Sequence, residues 1–156
     1  MIMTEATSRT IALADLGATE RLAAALAARA RVGDVIALRG GLGAGKTAFA
    51  RGFIRARRGG AAVREVPSPT FTLVQEYALP AGPAFHFDLW RLDGPADLAE
   101  LGWDEAREGI VLVEWPDRLG ELRPTDALGI AFAPGEAEDS RIATLTGWPG
   151  RLEGLA

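Results

Sequence analysis

The chain has 156 residues, of which 48% are hydrophobic and 24% charged, with a formal net charge of −4 and no cysteine. These values predict a single globular domain and exclude disulfides, thiol catalysis and zinc sites built on cysteine. A negative chain has no overall attraction for nucleic acid. Because neither a secretory leader nor an apolar run of roughly 20 residues is present, we expect a cytoplasmic protein.

The first predicted elements are a strand and a helix. Residues 9–13 form a short apolar strand, and residues 18–30 form a helix, because Leu22 and Leu26 lie four positions apart and alanines fill most of the remaining positions. Thr19 lies at the start of this helix, where a threonine is most simply an N-cap. A second apolar strand is predicted just before residue 40.

Residues 40–47 read Gly-Gly-Leu-Gly-Ala-Gly-Lys-Thr and match the phosphate-loop pattern of glycine, four residues, glycine, lysine and threonine. Lys46 would reach the β- and γ-phosphates of a nucleoside triphosphate, and the Thr47 hydroxyl would bind Mg²⁺. Lys46 is also the only lysine among 17 lysine and arginine residues. The alternative is a structural glycine turn. The other loop residues that we predict to surround the phosphates are Gly41, Leu42, Gly43, Ala44 and Gly45.

A helix is predicted to continue from Thr47 and to end in a basic turn. Residues 55–58 contain three arginines and are followed by two glycines. Cations at this position are stabilised by the negative end of the helix dipole. A dedicated surface for a partner or RNA is the other interpretation.

The segment Val66-Pro67-Ser68-Pro69-Thr70 is predicted to be a rigid loop, because two prolines impose an extended path. A threonine on a loop after the first helix of a phosphate-loop protein can contact Mg²⁺ or the γ-phosphate and so sense whether the triphosphate is intact. Thr70 is therefore either such a switch residue or part of a simple connector.

Two more strands are predicted at residues 71–77 and 84–91. Alternation places His86 and Asp88 on one face of the second strand and three apolar residues on the other. A carboxylate near the end of such a strand can orient an attacking water, which makes Asp88 the candidate residue for hydrolysis. For His86, the only histidine, a structural hydrogen bond in a His–Asp pair is the simpler interpretation.

The stretch from Gly109 to Pro116 has four consecutive apolar residues and predicts a strand buried on both faces, as in a parallel sheet. Glu114 comes where this strand would emerge at its carboxyl end, the edge at which open α/β sheets bind ligands. A carboxylate at this position suits a Mg²⁺ site opposite the Thr47 hydroxyl. The alternative for Glu114 is an acid that faces water at a strand end.

Residues 125–132 and 141–146 predict two closing strands, which we expect to be antiparallel because no helix separates them. The predicted fold class is therefore α/β of the P-loop NTPase type. It has a mixed, mostly parallel sheet flanked by helices, in one domain covering residues 1–156. The tail from about residue 148 carries no pattern that predicts an ordered element.

Four motifs stand in one order: the glycine-rich loop at 40–47, Ser-Pro-Thr-Phe-Thr-Leu-Val at 68–74, His-Phe-Asp-Leu-Trp-Arg at 86–91 and Glu-Trp-Pro at 114–116. Together they resemble the TsaE family, the small bacterial ATPases of tRNA threonylcarbamoyladenosine (t6A) biosynthesis. The resemblance extends from about residue 11 to residue 118. Two positions depart from the family pattern, Gly41 in the loop and Trp90 after the strand.

The resemblance implies an ATPase that uses ATP and Mg²⁺ and works with TsaB and TsaD subunits on tRNA, which it would contact indirectly. The positions of Lys46 and Thr47 hold phosphates and Mg²⁺ in that family, and the position of Glu114 completes the metal site. The position of Asp88 is associated with hydrolysis and that of Thr70 with a switch loop. Two further positions lie near the nucleotide: Trp115 helps to shape the site, and the segment around Thr19 lies close to the adenine.

Three other functions share the phosphate loop. A small-molecule kinase would need an acceptor pocket and usually an arginine-bearing lid, whereas the clustered arginines here stand at the far end of a helix. A GTPase of the Ras type would need an Asn-Lys-x-Asp motif, which a chain with one lysine, already used, does not have. A nucleotide-gated adaptor, in which ATP orders the switch loop and hydrolysis is incidental, remains open.

Overall fold

The computed structural model describes residues 8–41, 45–58, 73–92 and 94–155. The seven strands are β1 (Ser8–Leu13), β2 (Val35–Arg39), β3 (Val74–Tyr77), β4 (Ala84–Asp88), β5 (Ile110–Glu114), β6 (Leu128–Pro134) and β7 (Arg141–Thr146). The three α-helices are α1 (Leu16–Arg29), α2 (Lys46–Arg57) and α3 (Trp103–Ala106), and two 3-10 helices span Pro95–Asp97 and Pro116–Leu122. The predicted loop residues 42–44 and the predicted switch residue Thr70 lie outside the described residues.

All seven strands belong to one sheet, in the order β1-β7-β6-β2-β5-β4-β3. The central strands β6, β2, β5 and β4 are parallel to one another, whereas β7 and β3 run against their neighbours. The β6–β7 pair is antiparallel. This confirms the prediction that the two closing strands are antiparallel, which is based on the absence of a helix between them. The structure confirms the predicted α/β class with a mixed sheet flanked by helices, and the parallel pairings lie at the centre of that sheet.

Each face of the sheet carries its own apolar core. Alternation along β2 and β5 sends Ile36 and Leu112 into the core covered by α1 and α2, and Ala37 and Val113 into the core on the opposite face. Strand β5 is buried along its whole length, as its continuous apolar sequence predicts. Among the helices that the structure describes, none combines the length and apolarity needed to cross a bilayer.

The start of α1 differs from the prediction. The helix begins at Leu16, and the Asp15 carboxylate accepts a hydrogen bond from the backbone N–H of Ala18 at 2.9 Å. Thr19 lies inside the first turn and is buried. The prediction of Thr19 as the N-cap is therefore wrong, because the aspartate four residues earlier already satisfies an N–H of the first turn.

The segment after β7 packs onto the sheet, although its sequence shows no periodic pattern. Trp148 and Leu152 are almost fully buried and belong to the core that α1 and α2 cover. Arg151 forms two hydrogen bonds to the carboxylate of Asp34, at 2.6 and 3.1 Å, and lies over the Trp148 ring at 3.9 Å from its centroid. This segment is tied to the start of the central strand β2.

Candidate active site

The glycine-rich loop joins the carboxyl end of β2 to the amino end of α2. Gly40 and Gly45 adopt φ values of 147° and 107°, in a region that side-chain-bearing residues rarely occupy. Gly45 is the N-cap residue of α2 and offers no side chain to the helix. The N–H groups of the first turn are therefore free of a capping side chain at the point where a helix dipole favours an anion.

Lys46 is the first residue of α2 and is only 5% exposed. Its Nζ donates a hydrogen bond to the Gly40 carbonyl oxygen at 2.6 Å and lies 4.1 Å from the centroid of the Trp115 ring. Burial lowers the pKa of Lys46, and the charges of Glu114 and Asp88 oppose that shift. The ammonium is thus placed between the loop and two acidic strand ends.

Thr47 and Glu114 bring α2 and β5 together. The Thr47 hydroxyl lies 3.4 Å from each carboxylate oxygen of Glu114. Glu114 is 3% exposed, so the alternative of a strand-end acid facing water is wrong. Leu112 lies on the same face of β5 as Glu114 and packs in the core that α1 and α2 cover. This face of the strand therefore directs the Glu114 carboxylate at the start of α2.

His86 contacts Glu114 and not Asp88, contrary to the simpler interpretation of the sequence. Its Nε2 lies 2.7 Å from Glu114 Oε2, and the His86 side chain is 1% exposed. Residues two apart on a strand are about 7 Å apart at their backbones, so His86 and Asp88 do not meet directly. The parallel register pairs His86 with Leu112, and Glu114 is the next residue along that same face of β5.

Asp88 ends β4 and pairs in register with Glu114 on β5. Its Oδ1 accepts a hydrogen bond from the Trp90 backbone N–H at 3.3 Å, and the residue is 8% exposed. Burial raises the pKa of Asp88, and the Glu114 charge raises it further. The Trp90 hydrogen bond and the charges of His86 and Lys46 oppose the shift.

Trp115 follows Glu114 in a left-handed conformation, with φ 59° and ψ 55°. A bulky residue rarely takes this conformation, and such residues cluster at functional sites. The turn it makes ends β5 and sets the ring against the Lys46 ammonium. A cleft of about 440 Å³ opens beside this ring, and its lining includes Gly40, Gly41 and Asp117.

Thr19 lines a second cleft, of about 530 Å³, near the start of α2. Gly45, Ala48 and Arg141 share this cleft with the beginning of α1. That the segment around Thr19 lies close to the adenine stays a prediction. The loop residues Leu42, Gly43 and Ala44, as well as Thr70, stay predictions, since they fall outside the described residues.

The described residues thus bring together four side chains that the sequence singled out, namely Lys46, Thr47, Asp88 and Glu114, from one helix and two neighbouring strands. Sequence reasoning missed the contact of His86 with Glu114. This contact depends on how the two parallel strands β4 and β5 align with each other. The alternation of residues within one strand does not predict that alignment.

This arrangement defines the structural class: an α/β protein in which a glycine-rich loop joins a central parallel strand to a helix that starts with Lys-Thr and faces a strand-end glutamate. A family model described as threonylcarbamoyl adenosine biosynthesis protein TsaE matches residues 13–143. The chain belongs to the TsaE family.

Relatives from distant bacteria match most of the chain. The tRNA threonylcarbamoyladenosine biosynthesis protein TsaE of Bacillus subtilis is 38% identical over 88% of this chain and 84% of its own length. The proteins of the same name from Rickettsia bellii and Nostoc are 35% and 36% identical over 82% and 87% of this chain, and over 88% and 84% of their own lengths. Among solved structures, the crystal structure of Bacillus subtilis YdiB superposes with a TM-score of 0.73 at 30% identity, covering 93% of this chain and 88% of that one.

Proposed function

We propose that this protein binds ATP with Mg²⁺, hydrolyses it slowly, and thereby supports threonylcarbamoyladenosine biosynthesis on tRNA. The observation that carries the proposal is the approach of the Thr47 hydroxyl to both oxygens of the buried Glu114 carboxylate, at 3.4 Å. This pair lies at the amino end of a helix that follows a glycine-rich loop, beside a buried lysine. Loop amides, helix dipole and ammonium together favour a phosphate chain at this place.

The donor set fits Mg²⁺. The ion prefers hard oxygen ligands in an octahedron at about 2.1 Å, which puts neighbouring ligands about 3.0 Å apart. Thr47 and Glu114 offer a hydroxyl and a carboxylate at 3.4 Å, close to that spacing. When bound, Mg²⁺ would neutralise charge that develops on the phosphate oxygens during transfer.

The protein's own groups have separate roles in this proposal. Lys46 would bind the β- and γ-phosphates, leaving its hydrogen bond with the Gly40 carbonyl. Asp88 would accept a hydrogen bond from the attacking water, and its raised pKa makes it a better proton acceptor than an ordinary carboxylate. Thr70 would sense the γ-phosphate, and the cleft beside Thr19 would receive the adenosine end.

Membership in the TsaE family supports the pathway, because the family and its relatives carry threonylcarbamoyladenosine biosynthesis in their names. We propose TsaB-like and TsaD-like subunits as partners, with tRNA contacted through them. Hydrolysis by the isolated chain would be slow, because the sequence offers no obvious arginine finger and a partner would have to complete the site.

The direct test is nucleotide affinity measured calorimetrically with and without Mg²⁺. We expect Mg²⁺ to tighten ATP binding in the wild type but not in Glu114→Gln, because the amide supplies no negative ligand. Lys46→Ala should weaken binding by about tenfold or more, the usual effect of losing a charged hydrogen bond. Glu108→Gln, at an exposed glutamate, is the matched control. Metal-independent binding in the wild type would contradict the proposed site.

Reconstituted tRNA modification then separates the enzyme from its alternatives. With TsaB-like and TsaD-like subunits, the proposal expects multiple-turnover modification with the wild type and its loss with Lys46→Ala. An Asp88→Asn protein that binds ATP without releasing phosphate yet sustains modification would favour the nucleotide-gated adaptor. Phosphate found on a small-molecule acceptor would favour the kinase.

A further inference from the structure

Among the described residues of the candidate site, His86 is the one buried ionisable side chain that the proposed function leaves without a role. It is 1% exposed and contacts Glu114 Oε2 at 2.7 Å, the shortest hydrogen bond that this carboxylate makes among the described residues. The Thr47 hydroxyl is the other described neighbour, at the longer distance of 3.4 Å. The orientation of the Glu114 carboxylate therefore depends mainly on His86.

The hydrogen-bond pattern assigns the proton of the ring. A carboxylate oxygen only accepts, so the nitrogen facing it must carry the hydrogen, which is Nε2. The other ring nitrogen, Nδ1, is buried and has no hydrogen-bond partner among the described residues. His86 therefore acts as the donor of this hydrogen bond, from Nε2 to Glu114 Oε2.

We infer that His86 is a positioning residue that holds Glu114 Oε2 and so presents Oε1, which makes no shorter contact than 3.4 Å to the Thr47 hydroxyl among the described residues, to the divalent cation of the nucleotide complex. The inference rests on the proposed function, since it concerns the same site. Ligating carboxylates are commonly fixed by a hydrogen bond to their second oxygen, and loss of that bond typically lowers metal affinity by about 10 to 100-fold. The backbone supports such a role, because His86 stands on a buried strand directly adjacent to the one that bears Glu114.

Two conservative substitutions distinguish this role from ordinary packing. A glutamine amide nitrogen is as many bonds from Cα as His86 Nε2, whereas an asparagine amide nitrogen corresponds to Nδ1, one bond shorter. His86→Gln keeps a donor within reach of Glu114, and His86→Asn moves the donor to where no described partner stands. Both replace the ring by a small amide, so a packing effect would be similar in the two variants.

The measurement is Mn²⁺ affinity by electron paramagnetic resonance in complex with a slowly hydrolysed ATP analogue, together with analogue affinity in the absence of metal. We expect wild type and His86→Gln to bind Mn²⁺ within about threefold of each other and His86→Asn to bind about tenfold or more weakly. Metal-free analogue affinity should be equal in all three. Equal Mn²⁺ affinity in both variants and the wild type would overturn the inference.

Because His86 is the only histidine of the chain, its imidazole nitrogens give a unique signal in ¹⁵N spectra of the untagged wild type. We expect the form protonated at Nε2 and a shift of that signal when Mg²⁺ joins the analogue complex. A ring protonated only at Nδ1 would overturn the inference even if His86→Asn does not fold. A wild type that binds the analogue but no metal would instead refute the metal site of the proposed function.

Discussion

Asp88 and Glu114 are two buried acids that end neighbouring strands. They are paired in register and are 8% and 3% exposed. Burial is the main cause of the raised pKa of Asp88, and the second carboxylate adds to it. The Glu114 carboxylate beside it thus disfavours the ionised form of Asp88, which the fold by itself does not favour either.

The first prediction is that Asp88→Asn stabilises the protein while it slows the proposed ATP hydrolysis. The pKa of Asp88 in the folded state lies above its unfolded value, so its ionisation lowers the free energy of unfolding as pH rises through those values. An asparagine has no such charge. We expect a higher melting temperature for the variant at pH 7, with the difference shrinking at about pH 4, and a hydrolysis rate lower by about 10²-fold or more.

The matched control is Asp126→Asn, at an exposed aspartate. It should leave both the melting temperature and the phosphate-release rate close to those of the wild type. A variant Asp88→Asn that melts below the wild type at pH 7 would mean that the Asp88 charge is stabilised overall, against the direction of its pKa shift.

At the scale of elements, the sequence correctly predicted those strands and helices that a pattern of neighbouring residues specifies. Four apolar residues in a row gave the buried strand β5, and the Gly-Lys-Thr end of the loop gave the start of α2. The cap of α1 was misassigned because Asp15 and Thr19 are both good capping types, and only the chain path decides between them. The His86–Glu114 contact and the packing of Trp148 depend on long-range register and docking, which no local window contains.

The second prediction concerns the entry to β5. A side chain at Gly109 would collide with the Pro83 backbone oxygen and lie 3.1 Å from Phe85 Cε2. The Pro83 oxygen is held in place, because it accepts a hydrogen bond from the Ile110 N–H at 3.1 Å. We expect Gly109→Ala to lower the free energy of unfolding by about 1–3 kcal/mol, measured by urea denaturation.

Gly94→Ala is the control for this prediction. Among the described residues, a Cβ at Gly94 would meet no atom within 4 Å, and the φ of 179° at Gly94 is open to any residue. The control should unfold within about 0.5 kcal/mol of the wild type. If the two variants unfold at the same urea concentration, the contact with Pro83 does not restrict the start of β5.

At the scale of the whole molecule, one ion pair fastens the chain's last segment to its centre. Arg151 and Asp34 are mostly buried, with side-chain exposures of 18% and 15%. Arg151 also donates to the Arg29 carbonyl oxygen at 2.6 Å, so a single side chain joins α1, the start of β2 and the last segment. Because the pair is partly buried, salt screens its attraction less than it would screen that of a pair on the surface.

The third prediction is that Arg151→Ala lowers the free energy of unfolding by about 2 kcal/mol, because it leaves the Asp34 carboxylate partly buried without its main partner. Arg151→Lys should recover only part of this loss, since an ammonium does not form the two parallel hydrogen bonds of a guanidinium. Arg118→Ala removes an exposed arginine and serves as the control. Urea denaturation in low and high salt measures all three, and a loss that disappears in high salt would contradict the prediction.

The strand order has a consequence for the time course of synthesis. Strand β1 is bonded in the sheet only to β7, and the central β2 lies between β5 and β6, all of which are made much later. Strands β1 and β2 therefore wait for their sheet partners until residues 110–146 have emerged, whereas β3 and β4 can pair with each other earlier. Such non-local pairing slows folding, so the sheet is completed only after the final third of the chain is translated, when its first strand pairs with its last.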